Sequence, residues 1–300
     1  MSSAALVMTQ DYIQEKMPRQ ALGLFSGISN KAYHNSPGIS SSQLKDYIHA
    51  PKIHRAYQTG ELVFKTTPAM ELGTTVHTLV LEPENFDKEF AIRQKVDGRT
   101  NAGKAYKVEF EADNAGKLII DAEEFDTAQR IRDAILNHPE VRLIFAEGEA
   151  ESSGYYLDEN DERETGTFQL CRYRPDWRRE DGLFDVKTCR DASPVGFMHQ
   201  INNLGYHISA AHYIEGDRIL KNTDHRQFTF IAAETEPPYL VAVYILSERS
   251  LQLGEHLRRI GLNGLKASRE NDFWPSYNHD LATEINLPNY LFYDMDRGQI

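Results

Sequence analysis

Two acids and an amine stand close together near the middle of the chain: Asp176 after Pro175, then Asp185 and Lys187 in Leu183-Phe184-Asp185-Val186-Lys187-Thr188. Phe168 to Tyr173 alternates apolar and polar residues and reads as a strand. The charged break Arg178 to Gly182 reads as a turn into a second strand, Leu183 to Lys187. Residues two apart in a strand share a face, so Asp185 and Lys187 point one way and Phe184 and Val186 the other. Carboxylates grouped beside an ammonium suit a hard divalent cation, which takes oxygen ligands. The ammonium can then steady an anionic transition state or help to deprotonate water. A lone Asp-x-Lys triplet is also what a solvated strand face looks like, so the case rests on the elements around it.

Before those strands the chain is mostly helical. Residues 1 to 35 show no clear periodicity and are expected to form a partly ordered N-terminal arm, ahead of a single domain over residues 36–300. Ser40, Ser41 and Ser42 can cap a helix with the stripe Leu44, Tyr47 and Ile48; Pro51 interrupts it, and His54, Arg55 and Tyr57 fall in a second short piece. Thr67-Pro68 opens a helix whose buried stripe is Leu72, Val76, Leu79 and Val80, ending before Pro83. His77 lies just off that stripe, where a histidine more often marks the edge of a core than a ligand. Residues 97–117 read as a loop. In its turn Asp97 to Lys104, backbone amides with Arg99 or Lys104 could bind a phosphate, or the turn could simply face solvent. Asp121 and Glu124 form a capping box for a helix to His138, with Phe125, Ala128, Ile131 and Ile135 on one face and Pro139 as its stop.

Glu149 to Tyr156 opens a sheet, and Asp158 to Gly166 is an acidic hairpin tip. After the Asp-x-Lys strand, Ser193-Pro194 starts one long helix to about Glu215, with Phe197, Ile201, Leu204, Ile208 and Ala211 as its core stripe. Tyr206, Ser209 and Tyr213 line another face, an edge that could look into the site or mark the helix boundary. Gln227 to Ala232 and Tyr239 to Ile245 read as strands around Pro237-Pro238. Ser247 caps a last long helix to about Ser268, whose glycines at 254, 261 and 264 weigh against one uninterrupted rod. The tail from Trp274 is irregular.

Composition narrows the classes. With 26% charged and 40% hydrophobic residues over 300, the chain has the balance of a globular protein, and no apolar run approaches the ~20 residues of a membrane span. Two cysteines, Cys171 and Cys189, argue against a disulfide framework or a four-cysteine metal site. Met1 to Met8 lacks a basic leader, so the cytoplasm is the expected location. A net charge of −12 opposes indiscriminate coating of nucleic acid. The charge is uneven: eight acids against Arg163 between Glu147 and Glu164, then six bases, Arg172 and Arg174 among them, against four acids between Arg172 and Arg190.

Several blocks in the same order give the chain a resemblance over about residues 33 to 276. They are Pro37 to Leu44, Leu72 to His77, Arg99 to Lys104, Ala150 to Ser153, Cys171 to Asp176, Asp185 to Thr188, and Tyr206-His207. In these it resembles the RecE-type exonucleases, 5′ to 3′ double-strand DNA exonucleases of phage and prophage recombination in the PD-(D/E)XK superfamily. The resemblance implies an α/β (α+β) fold with a mixed central sheet flanked by helices and an N-terminal helical extension. It implies Mg²⁺ or Mn²⁺ held by His77, Asp176, Asp185 and the Val186 carbonyl, with Lys187 catalytic and Glu151 as the upstream acid. Contacts to DNA would come from Arg99, Lys104, Arg172, Arg174, Tyr206, Ser209 and Tyr213. Ser209 stands where the family carries glutamine, and a serine lacks the amide's paired donor and acceptor. Implied partners are duplex DNA ends, further copies of the chain in a closed homo-oligomeric ring, and a single-strand annealing protein. A PD-(D/E)XK endonuclease and a catalytically weak recombination accessory protein are the alternative readings.

Overall fold

Alternating runs become strands and apolar stripes become helices, beginning with two short strands at the edges of one sheet. The computed structural model describes residues 8–9, 22–159, 167–222, 227–287 and 292. β1 (Met8–Thr9) and β2 (Gly23–Phe25) precede a short helix, α1 (Asn30–Asn35). Ser40 and Gln43 close a capping box on α2 (Ser41–His49), and α3 (Pro51–Thr59) starts at its proline. Thr67 caps α4 (Pro68–Leu81) through its hydroxyl, which accepts from Met70 N. Then come β3 (Phe90–Arg93), α5 (Asn101–Asp113), β4 (Leu118–Asp121), α6 (Ala122–Asn137) and α7 (Pro139–Ile144). β5 (Glu149–Ala150), β6 (Ser153–Glu159), β7 (Thr167–Tyr173), β8 (Trp177–Arg178) and β9 (Leu183–Cys189) follow. The last elements are α8 (Pro194–Asn203), α9 (Tyr206–Lys221), β10 (Phe228–Glu234), β11 (Val241–Ile245) and α10 (Glu248–Asn271).

The larger sheet is mixed, in the order β11-β10-β9-β8-β5, with β9 and β10 parallel and its other pairs antiparallel. A smaller antiparallel sheet has the order β1-β7-β6-β2, and β3 pairs with β4 in parallel. Phe184 and Val186 of β9 face a core built with Val76 of α4, Ile131 of α6 and Val141 of α7. Leu183 and Cys189 face the opposite core, with Phe197 of α8 and Ala210 of α9. Tyr156 and Tyr173 of the smaller sheet pack with Leu44, Leu262 and Leu265 of α2 and α10. Burying each large apolar side chain contributes about 1.5–3 kcal/mol, so β9, covered on both faces, is a rigid base for Asp185 and Lys187. This is the α/β architecture that the sequence predicts.

Four local expectations are corrected. β7 and β9 do not form a hairpin: β7 belongs to the smaller sheet, and the hairpin partner of β9 is β8. Alternation tells which face a residue takes, not which strand it pairs with. Residues 101–113, read as loop, are helix α5, started by Thr100, whose Oγ1 accepts from Gly103 N at 3.0 Å. Only Gly103 of that helix is buried, so it shows no stripe. The helix read from Ser193 to Glu215 is two helices, α8 and α9, broken at Leu204, which is 50% exposed, and Gly205, which has a left-handed φ of 62°. Conversely α10 runs unbroken through its glycines because other elements press on them. A Cβ at Gly254 would lie 2.1 Å from the His207 carbonyl oxygen, and one at Gly264 would lie 2.7 Å from the Tyr47 ring. Met1 to Val7 and residues 10–21 of the expected N-terminal arm, with the hairpin tip at 160–166, lie outside the described residues.

Candidate active site

The chain crosses from the larger sheet to the smaller one at residues 151–152 and returns at residues 174–176. Glu151 lies in the first link and Asp176 in the second, and the Glu151 N–H donates to the Asp176 carbonyl oxygen at 3.1 Å. Glu151 holds a φ of 51°, a left-handed conformation that costs an L-residue about 1–2 kcal/mol. Such strain persists only where the surroundings fix it, and it clusters at functional sites.

From these links the two carboxylates meet His77 of α4. Donor atoms of His77, Glu151 and Asp176 all lie within 4.8 Å of one another. His77 Nε2 is 2.7 Å from the Val186 carbonyl oxygen and 3.3 Å from Asp176 Oδ2. Asp176 Oδ2 in turn accepts from Val186 N at 2.6 Å, so a carboxylate serves as hydrogen-bond partner to the middle of β9. Lys187 Nζ lies 2.7 Å from Asp185 Oδ2, 3.7 Å from Asp176 Oδ2 and 3.3 Å from the Val186 carbonyl oxygen. The pairing of Asp185 with Lys187 on one strand face follows directly from the two-residue period.

Burial sets the proton balance. It pushes the Glu151 carboxyl well above its ordinary value, and the charge of Asp176 adds to this. Asp176 is raised as well, by burial against the opposing pull of Lys187, and Asp185 is pushed up to about 7 by burial and by the charge of Asp176. His77 is lowered to about 4 by burial and then by Lys187, so near neutral pH its ring is uncharged and can offer a lone pair. Burial alone would lower Lys187, but the charges of Asp176 and Asp185 outweigh it and raise its pKa, which keeps the ammonium. Three carboxyls thus share two cations, Lys187 beside Asp176 and Asp185 and Arg174 beside Glu151, an arrangement short of positive charge. One imidazole, two converging carboxylates and a peptide carbonyl are a donor set that fits a divalent cation.

A cavity of about 910 Å³ opens onto this group, lined by His77, Glu151, Asp176, Lys187, Tyr206 and Tyr213 among others. The structure therefore brings together most of the residues singled out in sequence. Asp185 is 3% exposed, its carboxylate turned to Lys187, and it is not part of the converging donor group, in which Glu151 takes a place. Arg174 reaches the cavity with Nη1 3.6 Å from Glu151 Oε2, but Arg172 is buried beneath α1, where its guanidinium donates to the Tyr33, His34 and Ser36 carbonyl oxygens. Ser209 is buried and off the cavity lining; Arg99, exposed beside Asp97, and Lys104, exposed on α5, are off it too. Sequence reasoning missed Gln200, Glu82 and Tyr33, all of which line the cavity. No spacing pattern marks them, because each enters from a separate element.

Comparison with known proteins identifies the family. Residues 40–284 match the family described as a PDDEXK-like domain of unknown function (DUF3799), and the chain belongs to that family. Among solved structures, a proposed exonuclease from Eubacterium rectale is similar at a TM-score of 0.59 and 13% identity, covering 90% of this chain and 99% of its own. An alkaline exonuclease from Laribacter hongkongensis matches at a TM-score of 0.24 and 14% identity, over 58% of this chain and 84% of its own, which is too slight a likeness to build on. At such identities the likeness to the Eubacterium rectale protein is one of fold. None of the curated proteins compared with the chain matches it.

Proposed function

We propose that this member of the PDDEXK-like family is a metal-dependent deoxyribonuclease that degrades linear duplex DNA from its ends, 5′ to 3′, leaving single strands for recombination. The observation that carries the reading is the convergence of His77, Glu151 and Asp176 within 4.8 Å, beside the Lys187 ammonium and at the wall of a cavity. The resemblance to RecE-type exonucleases supports the direction, and together with the fold shared with a proposed exonuclease it supports the need for an end. The same resemblance supports a closed ring of copies around the duplex and an annealing partner for the product strand; a cytoplasmic setting is proposed with them.

His77, Glu151, Asp176 and the Val186 carbonyl would hold Mg²⁺ or Mn²⁺, with Asp185 behind them. The bound cation supplies positive charge for the phosphodiester and acidity for a water molecule. The chain's own residues do the rest. Lys187, kept charged by Asp176 and Asp185, faces the negative charge that builds on the phosphate during hydrolysis. Asp185, 2.7 Å away, fixes the ammonium so that little reorganisation is needed. Val186 N holds Asp176 in place, and Arg174 does the same for Glu151.

The test is digestion of linear duplex DNA labelled at the 5′ or the 3′ end, with Mg²⁺ and with EDTA, alongside closed circular DNA. The expected result is Mg²⁺-dependent loss of the 5′ label first, with circles untouched. Cutting of closed circles would show an endonuclease instead, and binding without hydrolysis would show the accessory role.

A further inference from the structure

Tyr206 opens α9 and faces the cavity one residue after the helix break. Two ammonium groups approach its ring, Lys187 Nζ at 5.5 Å and Lys45 Nζ at 5.9 Å from the centroid, and the ring packs on Phe230 at 5.9 Å. Its hydroxyl oxygen accepts a hydrogen bond from Gln200 Nε2 at 3.3 Å, and the same nitrogen donates to the Thr188 carbonyl oxygen at 3.1 Å. The Thr188 carbonyl can only accept, so it fixes which end of the Gln200 amide faces it. Both amide protons are then committed, one to Thr188 and one to Tyr206.

This commitment has a consequence for the phenol. A tyrosine hydroxyl has one proton, and among the described residues the Tyr206 hydroxyl donates it to no group. With Gln200 supplying a donor from behind, the O–H turns away from Gln200, and the open side is the cavity. A phosphodiester presents only acceptors, so a fixed O–H donor is what it can use. Burial raises the Tyr206 pKa against the pull of Lys187, which keeps that proton in place at neutral pH.

The contact depends on the break between α8 and α9. In one continuous helix, residues six apart lie about 9 Å apart along the axis and some 120° apart around it, out of hydrogen-bonding range. Gly205, with its φ of 62°, turns the chain back so that Gln200 and Tyr206 meet. Ser209 cannot do this work, since it is buried and off the cavity.

Building on the nuclease reading, we infer that Gln200 is a positioning residue. Anchored on the Thr188 carbonyl, it aims the Tyr206 hydroxyl at a phosphate of the bound strand as a second donor beside Lys187.

A double-mutant cycle on Mg²⁺-dependent hydrolysis of linear duplex DNA tests this. Tyr206→Phe keeps the ring for Lys187 and removes the O–H. Gln200→Ala removes its anchor, and Gln200→Glu keeps the length but puts an acceptor where the donor stood, so the phenol proton turns inward. Each should lower kcat/KM roughly 10- to 100-fold, the scale of one hydrogen bond to a charged group, with melting temperatures close to wild type. The double variant, Gln200→Ala with Tyr206→Phe, should be no worse than Tyr206→Phe alone. Losses that multiply in the double variant would mean that Gln200 acts independently of the phenol and would overturn the inference. Gln200→Ala or Gln200→Glu within twofold of wild type would overturn it too. A wild-type protein that hydrolyses no DNA overturns the nuclease reading itself and this inference with it.

Discussion

His77 Nε2 stands 2.7 Å from the Val186 carbonyl oxygen, so a helix and a strand 109 residues apart in sequence meet through one polar contact. A peptide carbonyl only accepts, so in this contact Nε2 carries the ring proton. The ring is otherwise uncharged, with its pKa lowered to about 4 by burial and by Lys187. A cation at the site must compete for these same atoms.

His77→Ala should therefore weaken Mn²⁺ binding by roughly tenfold or more, the scale seen when groups around a metal are removed. Isothermal titration of the wild-type and variant proteins measures this directly. Equal affinities would remove His77 from the cation site.

In the proposed reaction Lys187 would bring the charge that faces the substrate phosphate, and Asp185 holds it at 2.7 Å. Lys187→Ala should lower kcat by roughly 100- to 1,000-fold, as loss of a preorganised stabilising group does elsewhere. Cation binding should survive in the same variant, because Lys187 is no ligand; residual activity near wild type would assign the role to another group.

Asp185 gives a pH signature. Its carboxyl titrates at about 7 in the folded chain, raised by burial and Asp176, and near 3.9 when unfolded. Between these values the folded state holds the proton more tightly, so this group's contribution is full below about pH 4 and is lost as pH rises through about 7. In Asp185→Asn that loss is absent. In EDTA, the stability of Asp185→Asn relative to wild type should rise between pH 5 and pH 8, read from denaturant midpoints. A constant difference would mean that Asp185 is already ionised at pH 5.

Gly205 is fixed by two separate demands. Its φ is 62°, and a Cβ there would come within 2.9 Å of the Lys45 Cδ. Gly205→Ala should cost roughly 1–2 kcal/mol of stability and reduce activity by shifting Tyr206. Thermal unfolding and the DNA digestion assay together check it, and a variant as active as wild type would show that the α8–α9 turn tolerates a side chain.

Part of this site was legible because Asp185, Lys187 and His77 lie on regular elements. The two-residue period of β9 placed Asp185 with Lys187, and the stripe of α4 placed His77 just outside the core. What the period could not show was partnership across elements. Phe168 to Tyr173 alternates as well as a hairpin strand would, yet it pairs with β6 in the other sheet. The apolar stripe of α8 continues in register into α9, with only Gly205 to signal the break, so no pattern in the sequence singles out Gln200. α5 hid for the opposite reason: a helix with Gly103 as its one buried residue leaves no apolar period to detect. The glycines of α10 looked like weaknesses and are contact points, which only the packing of α2 and α9 against them reveals.

The placement of Glu151 and Asp176 in the two links between the sheets means that the candidate cation site sits on a seam. Neither sheet alone holds the full set of donors: the links bring the acids, α4 brings His77 and β9 brings the carbonyl and Lys187. A cation bound there ties two layers together in the manner of a cross-link, so its binding energy is also docking energy between the sheets. Loading the site should slow amide exchange in β6 and β7, strands that hold none of the ligands, making the smaller sheet a remote reporter of occupancy.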